Sequence, residues 1–127
     1  MAINENERAT IRFEDRGEYL YAYVTGPKDS QEISIDYWQR VIDECRKRDF
    51  KKLLIEEDLP NQATTVEIFN MIKALAEMIT FPLKIAFYDR EAEHLDLNLF
   101  GETVAVNRGV DGRVFPDLED AVNWLKS

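Results

Sequence analysis

The sequence predicts an α/β fold for this 127-residue chain: one mixed, mostly parallel sheet in the order β-β-α-β-α-β-α-β-α, with an antiparallel first strand. Three observations carry that prediction. Two strand-like runs joined at Asp15-Arg16-Gly17 open the chain as a hairpin. After them, helical and strand-like segments alternate, as successive βαβ units require. Two of the later strands, over residues 52–57 and 83–88, have nearly continuous apolar centres. That is the pattern of parallel strands covered on both faces.

The hairpin strands are expected over residues 10–14 and 18–25. In the second, Leu20, Ala22 and Val24 fall on one face and Tyr19, Tyr21 and Tyr23 on the other. Such alternation predicts one face on the core and an amphipathic opposite face, as at an antiparallel edge. Gly26-Pro27 ends the run. A helix follows over residues 34–48, its apolar stripe made by Ile35, Trp38, Val41, Ile42 and Cys45 at three- and four-residue spacing. The strand at 52–57 leads into a polar loop over residues 58–63 that contains Pro60.

Thr64-Thr-Val-Glu67 has the spacing of a capping box, so a second helix should begin at Thr64. Its stripe is Ile68, Phe69, Ile72, Leu75, Ala76 and Ile79, and Pro82 lies just beyond its end. A third helix is expected over residues 97–107, burying Leu97, Phe100 and Val104. Gly109 sits where a left-handed C-terminal residue belongs. Asn107 and Arg108 beside it are expected to stabilise that turn. A last strand covers residues 113–115. Asp117 then caps a helix over 118–126 that turns Ala121, Val122, Trp124 and Leu125 inward. Trp38 and Trp124 both lie on apolar stripes and are expected to be buried.

Composition narrows the class. A length of 127 residues suits one domain, and 45% hydrophobic residues place the chain well inside the globular regime. The formal charge of −9 and pI near 4.6 repel phosphate backbones and anionic membranes, so neither nucleic acid nor a membrane is an expected partner. The basic cluster Arg46-Lys47-Arg48 with Lys51 and Lys52 reads as favourable charge at a helix C-terminus. Cys45 is alone and reads as a small buried hydrophobe. The first eight residues lack the features of a signal peptide, and no apolar run approaches the roughly 20 residues of a membrane span, which makes the cytoplasm the expected location.

The sequence has no phosphate-binding loop, dinucleotide fingerprint or zinc spacing, so no catalytic residue and no cofactor is assigned. Glu56, Glu57 and Asp58 end one predicted parallel strand, and Asp89 and Glu91 end the next. Carboxylates converging at strand ends can hold a hard cation such as Mg²⁺, which makes these five weak metal candidates. Solvated surface acids are the simpler reading. His94, beside Glu91, Glu93 and Asp96, is expected on a surface loop.

The closing residues Phe100-Gly-Glu-Thr-Val-Ala-Val-Asn-Arg-Gly109, then Val114-Phe115, Asp117, Ala121 and Trp124-Leu125, together with the strand Leu53-Leu-Ile-Glu-Glu57, carry a resemblance. The chain resembles the SpoIIAA-like, or STAS-like, superfamily of anti-sigma-factor-antagonist-like proteins, and within it the small stand-alone bacterial members of unassigned function. The resemblance implies the fold and a single STAS-like domain over residues 1–127. Phosphorylated STAS antagonists carry an Asp-Ser-Ser/Thr-Gly run at the start of the helix after the central strand. Here that place reads Gln62-Ala63-Thr64-Thr65-Val66-Glu67, so no kinase site carries over, and the two threonines read as N-capping residues.

The leading functional reading is a non-enzymatic regulatory or protein-interaction module, with Asp58, Asn61, Thr64 and Thr65 as its candidate binding loop. An alternative is a module for a small ligand, lipid or nucleotide, held between sheet and helices. A metal-dependent hydrolase is the minor alternative. Tyr19, Tyr21 and Tyr23 form a candidate interface, either for a protein partner or for a homodimer.

Overall fold

The computed structural model describes residues 3–61 and 63–127; Met1, Ala2 and Gln62, the last from the loop just discussed, lie outside them. Strands β1 (Thr10–Asp15) and β2 (Leu20–Thr25) pair antiparallel across the expected hairpin. Its turn rests on Gly17 at φ +82°, whose N–H donates to Asp15 Oδ1 at 2.8 Å. Then come α1 (Gln31–Arg48), β3 (Lys52–Asp58), α2 (Thr65–Met78) and β4 (Lys84–Asp89). A 3-10 turn at Ala92–His94 leads into α3 (Leu95–Asn107), followed by β5 (Asp111–Phe115) and α4 (Leu118–Lys126). The sheet order is β1-β2-β3-β4-β5, and every pair after the first is parallel. The expected fold class is the observed one.

That strand order decides where the helices go. Each right-handed crossover adds its strand on the same side, so α1, α2 and α3 all stack on one face of the sheet. There Leu20, Ala22, Val24, Leu53, Ile55 and Ile85 meet Ile33, Trp38, Val41, Ile42 and Cys45 of α1 and Ile68, Ile72 and Leu75 of α2. Among the described residues the opposite face has only α4. Its cluster is Tyr19, Tyr21, Leu54, Ala86 and Phe115 against Ala121 and Leu125.

Several expectations change here. β2 is not an edge strand, because β1 flanks it on one side and β3 on the other. Tyr19 and Tyr21 are 5% and 4% exposed, packed in the α4 cluster, so the hairpin does not present an open row of tyrosines. Only Tyr23 is half-buried. Trp38 is 3% exposed as expected, but Trp124 is half-buried, its ring carrying the Lys84 ammonium 4.4 Å from its centroid. A short helix on an otherwise open sheet face cannot close over a large ring. Phe69 and Phe100, expected inside, are 40% and 36% exposed.

Local signals fared better. Thr64 accepts from the Glu67 N–H while Glu67 accepts from the Thr64 N–H, a complete capping box. Asp117 accepts from the Asp120 N–H, and Gly109 adopts φ +83° after α3. Among the described residues, no helix is long and apolar enough to cross a membrane.

Candidate functional site

Strand alternation places successive side chains on opposite faces. At the carboxyl end of β3 this sends Glu57 toward α1, α2 and α3, and Glu56 and Asp58 to the α4 side. The expected carboxylate cluster is therefore split in two. Among the described residues no three His, Cys, Asp or Glu side chains are arranged to hold a metal ion, which removes Glu56, Glu57, Asp58, Asp89 and Glu91 as a joint set.

On the α4 side the acids are paired. Glu56 accepts from Tyr21 Oη at 2.7 Å and from Arg90 Nε at 2.7 Å. Asp58 accepts from Tyr23 Oη at 2.8 Å, and Arg90 donates to the same hydroxyl at 3.2 Å. Arg16 and Arg12 lie over the rings of Tyr21 and Tyr23 at 3.9 and 5.1 Å. Burial and the Glu56 carboxylate both push the Tyr21 phenol upward. The tyrosine row is thus a buttress: its rings pack in the α4 cluster, and the hydroxyls of Tyr21 and Tyr23 satisfy the acids at the end of β3.

On the helical side the acids are buried. Glu57, 7% exposed, accepts from the Tyr37 hydroxyl of α1. Burial, then the charges of Asp29 and Asp89, hold its carboxyl well above the usual carboxylate range. Asp29, just before α1, accepts from Ser34 Oγ at 2.6 Å and from the Ser30 N–H at 2.8 Å. Its burial outweighs those bonds and raises it to about 6. Asp89 accepts from Asn98 Nδ2 at 3.0 Å and lies 2.9 Å from His94 Nδ1. His94 is 4% exposed, not on a surface loop, because the 3-10 turn folds it back under α3. Asp29 and His94 carried no sequence signal of this role: one precedes a helix, the other follows a strand, and only the packing brings them together.

These groups line one end of a cavity of about 80 Å³ between the sheet and α1, α2 and α3. Ile68, Ile72, Leu75, Ile85, Phe87 and Leu97 form much of its remaining wall. It is well below the roughly 300 Å³ of a pocket for a drug-sized ligand. A larger hollow of about 430 Å³ lies at the other end of the sheet, but Lys51, Arg108, Gly109 and Asp111 along it are exposed, so it is a surface groove.

The candidate binding loop is held from below. Asn61 accepts the Asp29 N–H at 2.7 Å and donates to the Asp29 carbonyl at 2.9 Å, tying the loop after β3 to the start of α1. Asp58 is turned to the other face. Thr64 and Thr65 are exposed at the start of α2. Accepting the Thr64 N–H holds the Glu67 carboxyl below its usual range. Thr64→Ala is expected to cost about 1 kcal/mol and Thr64→Asp to be nearly neutral, as urea unfolding will read. An unchanged urea midpoint in Thr64→Ala would show that the cap carries no stability.

Among the described residues the exposed large hydrophobics are Val66, Phe69, Leu99, Phe100 and Val106, all on α2 and α3. Arg108, expected to stabilise the turn after α3, places its guanidinium 5.2 Å from the Phe69 ring centroid.

No protein family's sequence profile matches this chain, and no curated protein sequence does. Solved structures do. An anti-sigma factor antagonist from Mycobacterium paratuberculosis superposes with TM-score 0.63 at 15% identity, over 98% of this chain and 100% of that one. An uncharacterised protein of the DUF3478 family with a SpoIIAA-like fold, from Shewanella loihica PV-4, gives TM-score 0.54 at 15% identity, over 98% of both chains. At that identity the likeness establishes the fold, which is SpoIIAA-like.

Proposed function

We propose, from the premise of a SpoIIAA-like fold, that this chain is a non-enzymatic STAS-like regulatory module that docks a partner protein on α2, α3 and the loop preceding α2. The observation that carries the reading is the apolar surface. Val66 and Val106 are 69% and 55% exposed, and with Phe69, Leu99 and Phe100 they put all the exposed large hydrophobics of the described residues on two adjacent helices. Clustered apolar exposure on a charged surface marks interaction sites. The fold-level likeness to an anti-sigma factor antagonist supports the same class of role. The hairpin tyrosines do not contribute, being committed to the α4 face.

The test is a pair of surface variants, Val66→Ser and Phe69→Ser, in the full chain. Proteins retained by the wild type are identified, purified and titrated against each variant. A true docking face loses about tenfold or more in affinity per hot-spot residue, while melting temperature changes little because both side chains are exposed. Partner affinity unchanged in both variants would sink the assignment of this face.

A further inference from the structure

An open five-stranded sheet ends in two edge strands, here β1 and β5, each with backbone groups that no ladder satisfies. The two edges differ. On β5 the N–H of Val114 donates to Glu102 Oε1 of α3 at 2.7 Å, and that carboxylate closes the edge to a further strand. On β1 the Arg16 N–H donates to the Tyr19 carbonyl, which fixes the alternation of the hairpin. Glu14 with Tyr21, Arg12 with Tyr23 and Thr10 with Thr25 are then the hydrogen-bonded pairs. Ile11, Phe13 and Asp15 turn their N–H and C=O groups outward, and these backbone groups have no hydrogen-bond partner among the described residues.

The side chains on this edge complement themselves. Ile11 and Phe13 lie on the α1 side, half-buried against the main core, and Arg12 and Glu14 on the α4 side, next to Tyr23 and Tyr21. Laid antiparallel against a second copy about Phe13, the outward groups of Ile11 meet those of Asp15, and Phe13 meets Phe13. Arg12 then faces Glu14 of the second copy, twice by symmetry, at the non-hydrogen-bonded positions where side chains come closest. A shift of one residue would oppose outward groups to groups already bonded to β2. A shift of two would set Arg12 against Arg12 or Glu14 against Glu14. Only the register about Phe13 satisfies both backbone and charge.

We infer that two copies of this chain associate through β1, edge to edge and antiparallel about Phe13, so that one sheet runs through both subunits. A self-complementary patch is what a two-fold interface requires. Within one chain Glu14 meets Arg12 at 3.5 Å and Arg16 at 3.4 Å, all three at the surface, so it can exchange partners at little cost. The net charge of −9 opposes association at long range, but physiological salt screens it beyond about 8 Å. A single strand pair buries less than about 1,200 Å², which places the dimer among weak, reversible complexes. The inference does not rest on partner docking at α2 and α3, since α3 packs on β5 at the far edge.

The test is sedimentation equilibrium of the full chain at about 0.15 M salt, where a reversible dimer should predominate by about 1 mM. Arg12→Glu and Glu14→Arg each place like charges opposite one another and should weaken the dimer by about tenfold or more. An equimolar mixture of the two variants restores opposite charges at each cross-strand position and should associate like the wild type. The double variant Arg12→Glu/Glu14→Arg should do so too. Circular dichroism should show little change in melting temperature, because both side chains are at the surface. In the wild type, amide exchange at Ile11 and Phe13 should slow in step with the dimer fraction. A monomer up to about 1 mM would overturn the inference and leave this edge to a strand from another protein. So would single variants that associate like the wild type, a mixture that stays monomeric, or exchange at Ile11 and Phe13 that is independent of concentration.

Discussion

Trp38→Ala is expected to lose about 3–5 kcal/mol of stability, the range for truncating a buried Trp. Its ring stacks on Tyr37 and Phe87 with centroids 5.5 and 6.3 Å away, and so bridges α1 to β4 across the main core. It also lines the cavity between sheet and helices, so truncation enlarges a space already there and leaves little for the core to collapse onto. Urea unfolding monitored by circular dichroism measures the loss. A loss under about 1 kcal/mol would show that the ring is not an anchor of this core. Trp124→Ala should cost distinctly less, because that ring is half-buried at the margin of α4.

Stability should fall as pH rises from about 4 to about 6, opposite to the usual acid sensitivity of a carboxylate-rich protein. Asp29 is raised from an ordinary 3.8 to about 6, chiefly by burial. The folded state thus holds this proton more tightly than the unfolded chain. Its stabilising effect is complete below the unfolded value and is lost as pH climbs through the folded one. A displacement of that size corresponds to roughly 3 kcal/mol. Glu57 moves in the same direction and extends the loss to higher pH. Asp36, held low by Arg8, and Glu67, held low by the Thr64 N–H, oppose the trend by losing stability on acidification. Both are partly exposed and solvent-screened, so the buried pair dominates. Urea midpoints of wild type and of Asp29→Asn/Glu57→Gln across this window decide the matter. The double variant should be flatter and more stable near neutral pH. A wild-type midpoint that climbs steadily through the window would refute the assignment.

The same residues show how far the chain could be read without its fold. Thr64 with Glu67, Asp117 and Gly109 act within one helical turn, and each does in the structure what its spacing predicts. Alternation in Leu20-Tyr-Ala-Tyr-Val24 assigns the two faces of β2 correctly. It does not say that both faces are covered, since that depends on where α4 docks. Glu56 and Glu57 are adjacent in sequence and were grouped for that reason, yet pleating sends one to Arg90 and Tyr21 and the other to Tyr37.

By itself, then, the sequence determined the order of elements, their caps and the mixed, mostly parallel sheet, all of which follow from periodicity and contacts a few residues apart. Tertiary structure alone decided which apolar side chains are left over. Ile68 and Phe69 are neighbours on one helix, but Gly101 of α3 brings the helices close at Ile68, where an added Cβ would lie 3.3 Å from Ile68 Cγ2, and Phe69 is left outside. The acid-lined cavity arose likewise, from Asp29, Glu57, Asp89 and His94 on four separate segments. The physical reason is common to both: unreversed right-handed crossovers crowd three helices onto one face, and a stripe's burial depends on which neighbour that stacking supplies.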